Sequence, residues 1–311
     1  MKDGLKWPLL VIAGPTGSGK SGLAVEAALE CGGEVVNCDS IQVYRHFDIG
    51  AAKLTAGERR GMPHHLIGVV EPDEWFTAGD YARLARTALD EIRERGRVPI
   101  VCGGTGFYLR ALLDGLFVGP TRDEALRARL MEREGRRRGT LHRILKRLDA
   151  AAAARIHPND LQKTLRAVEV CLSGRTTLSE HWSGGREALA GFDVLRVILE
   201  PPREALYRRI DDRLEKMFDA GLIEETERIL AMGYAAESKP FASLGYKQAL
   251  GVVRGELTRE AAIEEAKRET RHYAKRQATW FRRGPGERLA GVGDEAAVEE
   301  RVLIMVRANR R

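Results

Sequence analysis

PLLVIAGPTGSGKSGLAVEAALEC, residues Pro8–Cys31, decides the fold. Residues 8–13 are an unbroken apolar run of strand length, the pattern of a strand buried on both faces. Glycines then interrupt the chain, and a helical pattern follows from Lys20 to Cys31. Between strand and helix lies GPTGSGKS, matching G-x-x-x-x-G-K-[ST] in the context that gives the motif its meaning. Glycines let successive backbone N–H groups turn inward around phosphate oxygens, and the helix N-terminus adds a favourable dipole. Gly14, Pro15, Thr16, Gly17, Ser18 and Gly19 are therefore expected to cradle a phosphate ester. Lys20 supplies a point charge, and the Ser21 hydroxyl is a ligand for Mg²⁺.

Working outward, Glu34 to Cys38 reads as a second strand ending at Asp39, and Val98 to Cys102 as a third ending at Gly103-Gly104. A helical stretch from Ala78 to Arg95, closed by Gly96, lies between them. Phe192 to Leu199 reads as a later strand, with helical signals over 203–230 and 258–281 and a last helix over about 295–307. Strands alternating with helices predict an α/β fold: a parallel sheet covered by helices. From Arg122 to about Leu172 the pattern is helical with no strand, so an all-helical insertion over 121–190 is expected inside a core formed by 1–120 and 191–311.

Hydrophobic residues make up 43% and charged residues 31% of the 311, which excludes wholesale disorder. No apolar run approaches the ~20 residues of a membrane span. Four cysteines without CxxC spacing argue against a disulfide framework and for a reducing cytoplasm. The net charge of +6 is unevenly placed. Residues 121–190 hold 15 Lys/Arg against 9 Asp/Glu, so the whole excess lies in the helical segment. Such a local excess fits a polyanion, of which nucleic acid is the commonest; a solvated helical face fits equally.

The phosphate loop does not belong to an ordinary ATPase. Those enzymes end an apolar strand in a Mg²⁺-holding Asp; here Val98–Cys102 ends in Gly-Gly-Thr. Asp39 closes the second strand instead, placed as a general base beside an acceptor, with turn or cap duty as the alternative.

Seven blocks then follow in order: GPTGSGKS, DSIQVYRHFDIGAAK (39–53), PHHLIGV (63–69), CGGTGFYLRALLDGL (102–116), HPNDLQKTLRAVEV (157–170), SLGYKQ (243–248) and YAKRQATWFRR (273–283). The series resembles the tRNA dimethylallyltransferase (tRNA isopentenyltransferase) family in its bacterial form, over residues 14–283. The resemblance implies transfer of a dimethylallyl group from dimethylallyl diphosphate to the N6 amine of the adenosine 3′ of the anticodon, with Mg²⁺ assisting. It implies that Asp39 takes the amine proton and that Thr105 faces the reacting centre or the diphosphate; Arg213 is the candidate to join Lys20 on the diphosphate, with Arg208 and Arg209 competing and a helix salt bridge as the alternative. It further implies tRNA contacts at Asp39, Ser40, Ile41, Gln42, Thr105, Arg127, Gln162, Lys163, Thr164, Leu165, Arg166, Leu244, Gly245, Tyr246, Lys247, Gln248, Lys275, Arg276 and Arg282.

Within that set, Gln42 and Gln248 are expected to read base edges, and Arg127, Lys163, Arg166, Lys275 and Arg276 to neutralise phosphates. Thr105 is equally placed to cap a helix. YAKRQATWFRR interleaves basic residues with Tyr273, Trp280 and Phe281, the composition of a stacking and charge platform. The alternative is an amphipathic helix with core aromatics, which is favoured for Trp280, and His64-His65 are expected in loop packing. Partners are thus the tRNA anticodon stem-loop and dimethylallyl diphosphate, with no membrane, for a monomeric cytoplasmic enzyme. The alternative is a P-loop kinase using ATP, with Arg133–Arg138 as an arginine lid and Asp39 as its base. An RNA-binding protein without turnover is a third reading; its function would survive Asp39→Asn.

Overall fold

The computed structural model describes residues 6–117, 119–174, 176–183 and 186–290, with 296, 300 and 304. The chain forms two compact units, residues 1–113 with 189–311, and residues 114–188.

The first unit is built on a six-stranded sheet in which every pair is parallel. Its strands are β1 (Trp7–Ala13), β2 (Glu34–Asn37), β3 (His64–His65), β4 (Pro99–Gly103), β5 (Phe192–Leu199) and β6 (Glu287–Leu289), in the order β3-β2-β4-β1-β5-β6. The apolar runs of β1 and β4 are central and covered on both faces, as their composition requires. Helix α1 (Lys20–Cys31) lays Ala24, Ala27 and Ala28 against Leu10, Ile12, Val35 and Ile100. Helix α2 (Ala78–Glu94) starts in a reciprocal Thr77–Asp80 capping box and buries Tyr81, Ala85, Leu89 and Ile92. Helix α3 (Gly106–Leu113) follows β4 directly.

The second unit holds α4 (Glu124–Arg136), α5 (Thr140–Leu148), α6 (Ala150–Arg155), α7 (Leu161–Ser173) and α8 (Leu178–Ser183) around Leu130, Leu141, Leu145, Leu165 and Val168. Its border lies at Asp114 rather than 121, because Gly115 runs so close to the Glu187 backbone that a Cβ there would overlap it. The first unit resumes with α9 (Arg203–Asp219), α10 (Leu222–Ala231), α11 (Tyr246–Val253) and the long α12 (Arg259–Arg282).

Two short elements were not marked by the sequence. His64 and His65 pair with Val35 and Val36 as an edge strand rather than packing in a loop, and His65 Nε2 lies 2.7 Å from Glu34 Oε2. β6 pairs with β5 after Gly284. The last expected helix falls outside the described residues except for Ala296, Glu300 and Ile304. All four cysteines are free, and Cys31, Cys38 and Cys102 are buried. No helix among the described residues is long and apolar enough to cross a membrane.

Candidate active site at the carboxyl edge of the sheet

Three strand ends converge. β1 runs into the glycine loop, β2 ends before Asp39, and β4 ends in Gly103-Gly104-Thr105, all at the carboxyl edge where open α/β sheets bind ligands. The loop turns through left-handed Gly17 (φ +81°) and Gly19 (φ +87°), conformations that disfavour any side chain. Lys20 Nζ donates to Pro15 O at 3.1 Å, and Arg213, from α9, donates Nη2 to Thr16 Oγ1 at 2.6 Å. Burial lowers the pKa of both cations, although the Asp39 charge opposes the fall in each. Two donors in this corner, Ser18 Oγ and Arg213 Nε, are buried without a hydrogen-bond partner. Desolvated cations and unused donors at a glycine loop are what an anion would satisfy.

Asp39 caps its own turn. Its Oδ1 accepts from Ile41 N at 2.8 Å and Gln42 N at 3.3 Å, and its backbone N–H donates to Asn37 Oδ1 at 3.1 Å. Its Oδ2 has no hydrogen bond to a described residue. Thr105 is not a helix cap in its side chain: Oγ1 accepts from Ser40 N at 3.1 Å, while Thr105 N donates to Cys38 O at 3.1 Å. Gly103 has no room for a Cβ, which would overlap the Cys38 carbonyl, so the β2 and β4 ends touch through backbone.

Two cavities meet here. The inner one is lined by Lys20, Ser21, Asn37, Gln42, His64 and Cys102, among others. The outer one, of about 350 Å³, is lined by Ser40, Ile41, Met217, Leu244, Tyr273 and Arg276, among others. Thr16, Asp39, Ala51, Ala52 and Arg213 belong to the walls of both. Asp39 therefore stands between a basic, loop-lined chamber and an open chamber with aromatic and apolar walls.

Several residues expected to touch RNA are interior instead. Tyr246 and Gln248 are fully buried at the start of α11. Gln248 accepts from Gly245 N at 3.0 Å and donates to Glu269 at 3.0 Å, so its amide edge is spent on the fold rather than on a base. Gln42 is partly buried in the inner cavity wall and gives its Nε2 to Ala51 O (3.0 Å) and Ala52 O (3.2 Å). Lys247 and Arg282 are by contrast exposed, paired at the surface with Glu269 at 3.0 Å and Glu200 at 3.3 Å. In the second unit, Thr164 and Leu165 are buried, and Arg127 is 8% exposed. Arg127 and Arg166 both clasp the fully buried Glu169, at 3.1 and 2.7 Å, and Arg166 keeps a third of its side chain exposed. Burial would raise the Glu169 pKa, but hydrogen bonds from Arg166 and Asp123 N bring it below the usual range. Gln162, Lys163, Lys275 and Arg276 are exposed, with Lys163 beside Asp160 at 2.5 Å. Trp280 is also a correction: it is 45% exposed over Gly106, with the Arg110 guanidinium 5.6 Å from its ring centroid.

Sequence reasoning missed the anchor of the Asp48–Lys53 loop. Glu225 on α10 is 3% exposed and accepts from Asp48 N (3.3 Å), Ile49 N (3.0 Å) and the Tyr246 hydroxyl. Gly50 N donates to Tyr246 Oη at 3.0 Å, and a Cβ on Gly50 would collide with that ring. Burial, then the Glu225 charge, push the Tyr246 phenol far above its usual pKa. This anchor sets Ala51 and Ala52 in both cavity walls. Glu225→Ala strands two backbone donors and a phenol, so a loss of about 3 kcal/mol is expected at roughly 1–3 per buried group. Urea unfolding with the Tyr246→Phe variant alongside checks it; an unchanged midpoint in Glu225→Ala contradicts the anchor.

Fold and site define an α/β protein whose chemistry sits at the carboxyl edge of a parallel sheet, around a strand–glycine loop–helix. The family model described as IPP transferase matches residues 42–284, and the chain belongs to that family. A tRNA dimethylallyltransferase of Solibacter usitatus is 60% identical over 278 residues, 89% of this chain and 91% of its own. That of Koribacter versatilis is 53% identical and covers 97% and 98%. Among solved structures, the full-length tRNA isopentenylpyrophosphate transferase from Bacillus halodurans matches with a TM-score of 0.72 at 34% identity, over 98% of this chain and 97% of that one. A eukaryotic dimethylallyltransferase acting on tRNA matches with a TM-score of 0.79 at 30% identity, over 92% and 74%.

Proposed function

We infer that this chain transfers the dimethylallyl group of dimethylallyl diphosphate to the N6 amine of the adenosine adjacent to the anticodon, on its 3′ side, in tRNA. The observation that carries the reading is the placement of Asp39, Thr16 and Arg213 in the shared wall of the two cavities. The inner chamber, with Lys20, Ser21 and the glycine loop, suits a diphosphate. The outer chamber, with Tyr273 for stacking and Arg276 for a phosphate, suits an extruded adenosine. The N6–C1 bond forms as the C1–O bond breaks; its electron pair leaves with diphosphate, and the amine proton passes to Asp39 Oδ2. Lys20, Arg213 and the loop amides stabilise the negative charge collecting on the leaving group.

The donor chemistry suits Mg²⁺. No three-residue His, Cys, Asp or Glu cluster exists among the described residues, but Mg²⁺ typically rests on few protein oxygens plus substrate phosphates and water. Ser21 would hold it, and it would neutralise the departing diphosphate. An ATP-dependent kinase has no comparable support, since the relatives matched over nearly the whole chain bear prenyltransferase names. A cytoplasmic location goes with a tRNA substrate.

The basic second unit is read as the grip on the anticodon arm. With Arg127 and Arg166 paired to Glu169, its exposed cations among the described residues are Arg122, Arg129, Arg133, Arg136, Arg137, Arg138, Arg143, Lys146, Arg147, Arg155, Lys163 and Arg186. Neutralising about four to six phosphates gives log K against log[salt] a slope of about −3 to −5. Filter binding of an anticodon stem-loop from low to high salt measures it, and a slope near zero removes the grip.

The reaction itself is tested by nucleoside mass spectrometry of unmodified tRNA incubated with the protein, Mg²⁺ and dimethylallyl diphosphate, without ATP. A five-carbon gain on the adenosine 3′ of the anticodon is the expected result. No gain on any tRNA, with tight ATP binding, returns the kinase.

A further inference from the structure

We propose that Gln277 is a positioning residue that fixes the distance between the donor-holding glycine loop and the acceptor-side loop carrying Thr105. This role rests on the prenyl-transfer reading above and adds to it a group that touches neither substrate.

Gln277 lies on α12 and is 6% exposed. Its amide is used at both ends. Oε1 accepts from Thr16 N at 2.9 Å, and Nε2 donates to Gly104 O at 2.8 Å. The first partner lies in the glycine loop after β1, the second in the Gly103-Gly104-Thr105 turn after β4. Each loop then passes the constraint to a reacting group. Thr16 takes the Arg213 guanidinium on its hydroxyl at 2.6 Å. Thr105 takes Ser40 N on its own hydroxyl at 3.1 Å, next to Asp39. One side-chain amide therefore bridges the half of the site that would hold diphosphate and the half that would hold the amine.

The space around the bridge is tailored to it. A Cβ on Gly104 would overlap Gln277 Nε2, so glycine there keeps the amide in place. The same helix carries Tyr273 and Arg276 in the wall of the outer chamber. The amide thus sits on the element that meets the acceptor while holding the loop that meets the donor. Direct displacement needs its reacting atoms about 3–3.5 Å apart and aligned, and a shift of about 1 Å can cost about 10²-fold. A residue setting that separation acts on kcat and leaves binding of each substrate largely alone.

The test compares wild type with Gln277→Ala, Gly104→Ala and the double variant in steady-state prenyl transfer, with KM measured for dimethylallyl diphosphate and for tRNA. The expected result is a fall in kcat of about 10²-fold in Gln277→Ala, with both KM values within about three-fold of wild type. Gly104→Ala displaces the amide and falls similarly, and the double variant is no worse than either, since both changes break one bridge. Gln277→Glu guards against misfolding: it keeps the shape and the acceptor for Thr16 N, loses the donor to Gly104 O, and is expected to lose kcat as well. Losses that multiply in the double variant, or a Gln277→Ala enzyme with kcat within two-fold of wild type, overturn the proposal. So does a loss confined to the KM for either substrate. A wild-type chain that transfers no prenyl group overturns the catalytic reading instead, and the two failures are told apart in the same assay.

Discussion

Asp39→Asn is expected to reduce single-turnover prenyl transfer by about 10²–10⁴-fold, the range for a positioned general base. The substitution is chosen for what it keeps. An asparagine oxygen still accepts from Ile41 N and Gln42 N, as Asp39 Oδ1 does, so the 39–42 turn stands. The second oxygen, which carries no hydrogen bond to a described residue, becomes an NH₂ group that cannot take a proton. Anticodon stem-loop binding is expected to change by less than about two-fold. Asp39→Ala removes both functions and is expected to lose at least as much. An Asn variant retaining more than a tenth of the wild-type rate assigns Asp39 to the turn alone and removes it as the base.

Lys20→Ala carries the second large effect. Removing one preorganised donor from developing negative charge typically costs about 10²–10³-fold. Lys20 is held against Pro15 O, and burial depresses its pKa, so its charge is maintained at a desolvation cost that a bound diphosphate offsets. Both kcat and the affinity for dimethylallyl diphosphate are therefore expected to fall, whereas Gln277→Ala is expected to spare the affinity. Isothermal titration with inorganic diphosphate reads the binding part without turnover. Equal affinities in wild type and variant place the anion away from the loop.

The large elements were legible because their signals are local. β1, α1 and β5 follow from apolar runs and helical spacing, and each stands within a residue of where the pattern puts it. β3 and β6 were not, since strands of two and three residues exist only through pairing with β2 and β5. The candidate site divided in the same way. Lys20, Asp39 and Thr105 are marked by motif and by position at strand ends. Gln248, Tyr246 and Arg127 carry polar or charged groups whose type suggests surface work, yet each is buried by partners distant in sequence or on another helix: Glu269, Glu225 and Glu169. Composition cannot distinguish an arginine that meets phosphate from one that meets an internal carboxylate. Trp280 erred the other way, because helical periodicity does not reveal that the indole lies over Gly106 with nearly half its surface exposed.

The seam at which the helical unit joins the rest has a consequence for modularity. Leu189 N donates to Leu113 O at 2.9 Å, so the catalytic unit is stitched together directly across the point of insertion. Seventy-five residues leave and return through one doorway, Asp114 to Ala188, beside a bond that the catalytic unit makes with itself. The helical unit is in that sense a cassette. A short linker from Leu113 to Leu189 in its place is expected to leave every strand of the sheet on its present route, since both flanking residues belong to the first unit. Those seventy-five residues can then be inherited, exchanged or engineered as one part.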